Sequence, residues 1–413
     1  MARPPHPIAD VDRPMAAVAR LPRLTAIDAL RGAIMIVMAL DHTRDFLHIG
    51  AMSFSPEDLS RTTAALFFTR WITHICAPVF MFTAGLGAFF RLERPGTTKA
   101  DLSRFLWTRG VWLVIVELTI MRLAMNFSLD ARFPVILLVL SALGLSMICL
   151  AVLVHLPRRV LAIGSLAVVA WHNLLDGVQA STFGALAPVW NLLHQQGVFI
   201  LGGIPFVVAY PLVPWVAVMA LGFCAGSLFL RAPEERQRLL LRWGIGLIVA
   251  FVVIRAFNVY GDPQPWSVQS SPLFTVFSFF RATKYPPSLD FLLMTLGPAL
   301  LILRYLDRRG VAADNPLVVI GRVPLFYYVL HFWLLHVVTV ALAWKRYGAA
   351  SFAYFFSPVP SMGGSRDVFP PDFGYPLWVT YVAWICVVAV LYPLCRWFAG
   401  VKARRRDWWL GYL

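Results

Sequence analysis

The sequence predicts an all-α, polytopic integral membrane protein with about ten transmembrane helices, and three observations carry that expectation. The first is composition. Of 413 residues, 59% are hydrophobic and only 14% are charged, and the mean hydropathy is +0.70. A soluble chain of this length cannot hide so much apolar surface. The second is recurrence. Apolar stretches long enough to span a bilayer fall at residues 27–47, 64–90, 107–127, 134–155, 158–176, 204–230, 239–258, 286–305, 323–343 and 375–397. The third is alternation of charge between them. Arg13, Arg20 and Arg23 precede the first stretch. Lys and Arg then return in every second connection: Arg91, Arg94, Lys99 and Arg104; Arg158 and Arg159; Arg231, Arg236, Arg238 and Arg242; Arg304, Arg308 and Arg309. The tail adds Lys402, Arg404, Arg405 and Arg406, whereas residues 177–203 contain neither Lys nor Arg. The positive-inside bias puts both termini in the cytoplasm.

This pattern divides the chain into a cytoplasmic N-terminal tail (1–22), a single transmembrane domain (23–399) and a basic cytoplasmic tail (400–413). The net charge of +15 does not indicate nucleic acid as a partner, because its excess lies between apolar runs, where orientation and anionic lipid account for it. Residues 1–22 are rich in Pro and Arg and lack the apolar core of a signal peptide. The five cysteines, Cys76, Cys149, Cys224, Cys386 and Cys395, form no CxxC pair, so neither a disulfide framework nor a thiolate metal site is expected. Residues 177–203 are too apolar for a plain loop and predict a re-entrant or interfacial helix. Residues 345–374, rich in Pro, Gly and aromatics, predict a structured external cap.

The first span carries the densest chemistry. Ionisable groups are costly in a bilayer and usually serve a pathway, a pair or a reaction. Arg31 and His42 are eleven residues apart, roughly 16 Å along a helix. An arginine holds an anion and an imidazole moves a proton near neutral pH. Asp28 and Arg31 have i,i+3 spacing and can pair; Thr25 is a candidate N-cap. Asp45 is three residues from both His42 and His48, the spacing of a carboxylate that orients a general base. The alternative is that DHTRDFLH is a solvated helix end with ordinary surface pairs.

Elsewhere, Arg70 and His74 have i,i+4 spacing beside Pro78, which should kink the second span, and Ala84, Gly85 and Gly87 permit close packing. His74 either lines the cavity that His42 faces or bonds a neighbouring carbonyl. Glu117 is a lone acid in the third span, expected to pair with Arg109, Arg122 or a cation on another helix. Lys284, with Arg281, stands beside the tandem prolines that open the eighth span, as an anion site or an interfacial anchor. Arg322, Tyr328, His331 and His336 are the polar members of the ninth, with Tyr328 and His331 on one face. No GxSxG, Walker loop or HExxH occurs, and no metal is expected.

The segment IDALRGAIMIVMALDH resembles the first helix of the membrane acyltransferase superfamily, marked by Arg, ten residues, then His. DHTRDF, APVFMFTAG, KYPPSLDFLLMTLGPALL and GRVPLFYYVLH resemble one branch of it. That branch comprises bacterial proteins grouped with the heparan-α-glucosaminide N-acetyltransferase catalytic domain and related to the YeiB-like proteins. The resemblance covers about residues 23–395. It implies a bacterial inner (plasma) membrane acyltransferase. An acetyl group would pass from cytoplasmic acetyl-CoA, the donor substrate, to an envelope glycan or other small acceptor. Arg31 and His42 take the motif positions. In the lysosomal members an Asn stands at the position of His42 and the active His lies farther along, which makes His48 a second candidate for the base. On this reading His42, Asp45 and His48 form the catalytic set, and Arg31, Lys284 and Arg322 hold the CoA. Direct transfer and an acetyl-histidine intermediate are both chemically open. The rival is a proton-coupled transporter or a protein that translocates lipid or envelope precursors, with His42 as the coupling group.

Overall fold

The computed structural model describes residues 24–51, 53–127, 133–356, 369–405 and 407–413. The expected 1–22 tail lies outside them. The helices are, in chain order, α1 Thr25–Leu47, α2 Ala64–Ile72, α3 Cys76–Leu92, α4 Lys99–Val116, α5 Arg122–Asn126, α6 Val139–Leu153, α7 Arg158–Trp171, α8 Ala187–Leu193, α9 Val213–Ala225, α10 Pro233–Phe257, α11 Pro272–Phe280, α12 Leu289–Arg309, α13 Pro316–Gly321, α14 Pro324–Tyr347, α15 Phe352–Phe355 and α16 Leu377–Arg404.

Helices occupy all ten predicted apolar stretches, but fewer qualify as spans. Among the described residues, six segments are long and apolar enough to cross a membrane: Ala64–Leu92, Val213–Leu230, Pro233–Phe257, Leu289–Arg309, Pro324–Phe355 and Leu377–Arg404. There are seven if Arg158–Leu175 and Ala180–Leu193, bent by 105°, count as one. By length and composition, the expected count of about ten is therefore not confirmed. α1 carries Asp28, Arg31, Asp41, Arg44 and Asp45, and α6 has only 15 residues. The protein is a multi-pass membrane protein. α10 and α16 turn Val249, Val252, Val253, Val382, Ile385 and Val390 outward, which is stable against lipid and not against water.

Local chemistry explains the breaks. The Ala64–Leu92 span opens with Thr63, whose hydroxyl accepts the Leu66 N–H at 3.3 Å. It loosens at Thr73–Ile75, the turn before Pro78, where the proline ring crowds the carbonyl four residues back. α1 has no side-chain cap: Leu24 takes that position and Thr25 is the first helical residue. Glycines set the closest crossings. A Cβ on Gly32 would overlap the Leu317 carbonyl of α13, and one on Gly85 would overlap the Met219 carbonyl of α9. Apolar helices in lipid associate by such close backbone approach.

Residues 177–203 do bend back as two short helical segments, and then form a feature the apolar pattern concealed. β2 (Gly197–Leu201) pairs antiparallel with β3 (Ile204–Val208), and β3 pairs parallel with β1 (Val135–Leu137). Of the expected cap, Phe355, Phe369 and Phe373 pack into a small separate core; residues 357–368 lie outside the described segments.

Candidate functional site

A cavity of about 500 Å³ opens where the connection after α1 meets the start of α6 and the loops before α9 and α12. His42 and Asp41 of α1, Arg70 of α2, Tyr210, Lys284 and Tyr328 are among its walls. His42 is held by a partner 289 residues away: its Nδ1 lies 2.6 Å from His331 Nε2 on α14. His331 Nδ1 lies 3.1 Å from the Tyr327 carbonyl oxygen. A carbonyl only accepts, so Nδ1 of His331 carries the proton and its Nε2 is the acceptor. His42 Nδ1–H therefore donates to His331, and the lone pair of His42 is on Nε2. This chain fixes a tautomer suited to a general base.

The charges around it are nearly all paired. Arg44 donates to Asp41 (3.0 Å) and Asp45 (2.5 Å), and Arg70 also donates to Asp41. Arg70 Nε lies 3.6 Å from Glu57, and His74 Nε2 lies 3.3 Å from the same carboxylate. Burial opposes the Glu57 charge, yet His74 and Arg70 beside it hold its carboxyl down at about 2. Lys284 is the exception. It is 91% buried, reaches the cavity and has no carboxylate partner among the described residues; its ammonium lies 5.2 Å from the Tyr285 ring centre. The Tyr285 hydroxyl donates to that of Tyr210 at 3.1 Å.

The loop carrying Lys284 is set by a buried cation. Arg255 donates to the carbonyls of Gln264 (3.0 Å), Phe279 (3.0 Å) and Arg281 (2.6 Å). Asp262, 3.8 Å from Arg255, accepts from the Thr283 amide (2.7 Å) and the Ser288 hydroxyl (2.6 Å). Ser288 in turn caps α12.

The expected site residues separate into three places. His42 and Lys284 meet in the cavity. Asp45 lines it too, but is bound to Arg44 and does not orient His42; His331 does that. His48 lies outside the cavity lining, accepting the Gly50 amide at 3.1 Å in a bridge to Tyr375. Arg31 and Arg322 sit at the other end of α1, 3.8 and 3.9 Å from Asp28, so they do not share a site with Lys284. His74 is turned to Glu57 and does not line the cavity. Glu117 pairs with no arginine among the described residues. It accepts the amides of Leu138 (2.9 Å), Leu140 (3.0 Å) and Ser141 (2.8 Å) at the α6 N-terminus, where the helix dipole favours an anion. Arg109 and Arg122 instead bond the carbonyls of Gly411 and Phe133. His331 as partner and Tyr210 as wall were not predicted, because no local spacing connects them to His42.

A family model described as heparan-alpha-glucosaminide N-acetyltransferase, catalytic, matches residues 23–260, more than half of the chain. The chain belongs to that family. This establishes a membrane acetyltransferase-like function. No curated protein matches the chain. The region shared with the heparan-alpha-glucosaminide N-acetyltransferase family includes His42, Asp41, Arg70 and Tyr210. Lys284, Tyr328 and His331 lie beyond it.

Proposed function

We propose that this protein transfers an acetyl group from acetyl-CoA to an amine or hydroxyl of a sugar or other envelope acceptor, with His42 as general base. The acceptor atom attacks the thioester carbonyl carbon while His42 Nε2 takes its proton. Lys284 stabilises the oxyanion that develops, and the C–S bond then breaks. The proton held by His42 passes to the departing thiolate, giving free CoA and the acetylated acceptor. His331 is a positioning residue. Arg31 and Arg322 offer the cationic surface for CoA phosphates at the opposite end of α1. Both termini face the cytoplasm of a bacterial inner membrane in this reading, which puts the His42 cavity on the outer side.

The observation that carries the proposal is the Tyr327–His331–His42 hydrogen-bond chain ending in a cavity wide enough for a small acceptor. The test is CoA release from acetyl-CoA by purified protein supplied with envelope extract. His42→Ala should lower turnover by about 10²–10⁴-fold while remaining folded and membrane-inserted. Full acetyl-CoA-dependent activity in that variant would overturn the assignment of the base. Substrate uptake into liposomes without thioester loss would overturn the enzyme reading itself.

A further inference from the structure

Outside the His42 cavity, three metal-ligating side chains converge where the bent α7–α8 region meets the start of α12. We propose that His172, Asp176 and His194 bind a divalent transition metal of the zinc class, fastening the bend to the loop that leads into α12.

The donors come from both arms of the bend. His172 and Asp176 are four residues apart just after α7, and His194 follows α8. One ligand atom from each falls within 4.8 Å of the other two. His172 Nδ1 and His194 Nε2 are 3.2 Å apart. A tetrahedral zinc with Zn–N bonds of about 2.0–2.1 Å separates its nitrogen ligands by about 3.3 Å. Both imidazoles are 3% exposed, so their polar atoms need partners inside the protein.

A histidine pair alone meets that need poorly. Whichever ring donates, His172 Nε2 is buried without a well-aligned hydrogen bond, although the Pro287 backbone stands close to the ring. A cation facing Nδ1 would fix the proton on Nε2 and leave it for that backbone, the usual outer support of a ligating histidine. The carboxylate is supported as well. Asn173 Nδ2 donates to Asp176 Oδ2 at 2.7 Å, and Asn173 Oδ1 accepts the Leu289 amide at 2.8 Å. One asparagine thus joins the third ligand to the first residue of α12. Two imidazoles with one carboxylate suit zinc, cobalt or nickel and disfavour calcium and magnesium, which take oxygen. Three protein ligands leave a fourth position for water. The consequence is mechanical: the metal would hold residues 172–194 against the Pro287–Leu289 corner, a few residues from Lys284.

The experiment is titration of full-length, chelator-stripped protein in detergent with Co²⁺ and then Zn²⁺. Wild type should bind one equivalent of cobalt with the visible absorption of a tetrahedral site, and zinc should quench it. His172→Ala and His194→Ala should lose the signal. Asn173→Ala should bind about 10–100-fold more weakly, as expected for a residue behind the ligands. His155→Ala, at an exposed histidine elsewhere, should match wild type. Should a histidine variant not fold, Asp176→Asn, at a partly exposed position, gives the same reading by weakened binding. Absence of a stoichiometric signal in wild type, or a signal that survives His194→Ala or Asp176→Asn unchanged, would overturn the site.

Discussion

At the Thr25 end of α1, Asp28 stands between Arg31 and Arg322, the Arg31 guanidinium reaches the Thr83 carbonyl, and Gly32 lets the α13 backbone touch α1. Toward the Leu47 end, His42 hangs on a hydrogen-bond chain from α14, and a cavity separates it from Lys284 on another loop. Buried Ile34, Met35 and Met38 occupy the helix between. Both ends place ionisable groups on one helix, yet they solve different problems. The first is closed by backbone contact and by charges with charged neighbours, as an anchor is. The second lines a cavity with an imidazole and a lysine that has no carboxylate partner among the described residues, an arrangement that suits chemistry.

The largest effect that would test this contrast, beyond His42 itself, is at Lys284. Lys284→Met keeps an unbranched four-atom side chain and removes a buried cation that has no carboxylate partner among the described residues. Turnover should fall about 10²–10³-fold, the usual loss for one donor to a developing oxyanion. The melting temperature should hold or rise. Normal kcat in a folded Lys284→Met protein would take the ammonium out of the reaction and leave it as an interfacial anchor.

His331 should matter less, because it touches His42 and not substrate. His331→Leu should lower kcat about 10–100-fold, part of what a general base contributes. The acid limb of the pH–rate profile should move to lower pH, because the His42 imidazolium loses the acceptor that stabilises it. His331→Gln, whose carbonyl can still accept from Nδ1–H, should recover part of both. A loss of rate with an unmoved pH profile would mean that His331 merely fills space.

The legible part of this site was the part written on one helix. His42 stands at the cavity, and the i,i+3 approach of Asp28 to Arg31 follows from a 3.6-residue repeat and is present at the other end of α1. Asp45 misled for a related reason: local spacing offered it to His42, but Arg44, its neighbour in sequence, captures it. The true partner, His331, was visible only as a polar residue in the ninth apolar stretch, since packing between α1 and α14 leaves no trace in either pattern. Lys284 stands out in the sequence as a cation beside tandem prolines, but nothing local to it points to the cavity that it lines. Its basic character reads as an anion site or an interfacial anchor, and the Arg255–Asp262 network that sets its loop joins residues with no shared local pattern. The sheet was illegible because three- and five-residue strands inside apolar sequence have the composition of helix. The count of spans is the least legible part, because hydropathy alone does not distinguish a full-length crossing helix from the 15-residue α6 or the bent α7–α8 pair.

The smallest effect is expected at Arg31, and it decides from which end the donor arrives. CoA carries phosphate charges, and Arg31 lies about 16 Å from His42 along the helix, a gap that an extended pantetheine arm can bridge. If the donor is anchored at the Thr25 end, Arg31→Gln should raise its KM by about tenfold, the value of one charge-assisted contact, with kcat and acceptor KM little changed. The effect should shrink at high ionic strength, because Arg31 is partly exposed. Under the same model Lys284→Met changes kcat and leaves donor KM alone. The opposite split, donor KM rising in Lys284→Met and not in Arg31→Gln, would mean that the nucleotide binds at the cavity mouth. The Ile34–Met38 layer would then be a permanent seal, and Arg31 a brace for Asp28. Arg31→Lys separates these cases: a brace that needs only a cation beside Asp28 and Arg322 keeps its stability with normal donor KM, whereas a phosphate site that loses the bidentate guanidinium shows a raised donor KM.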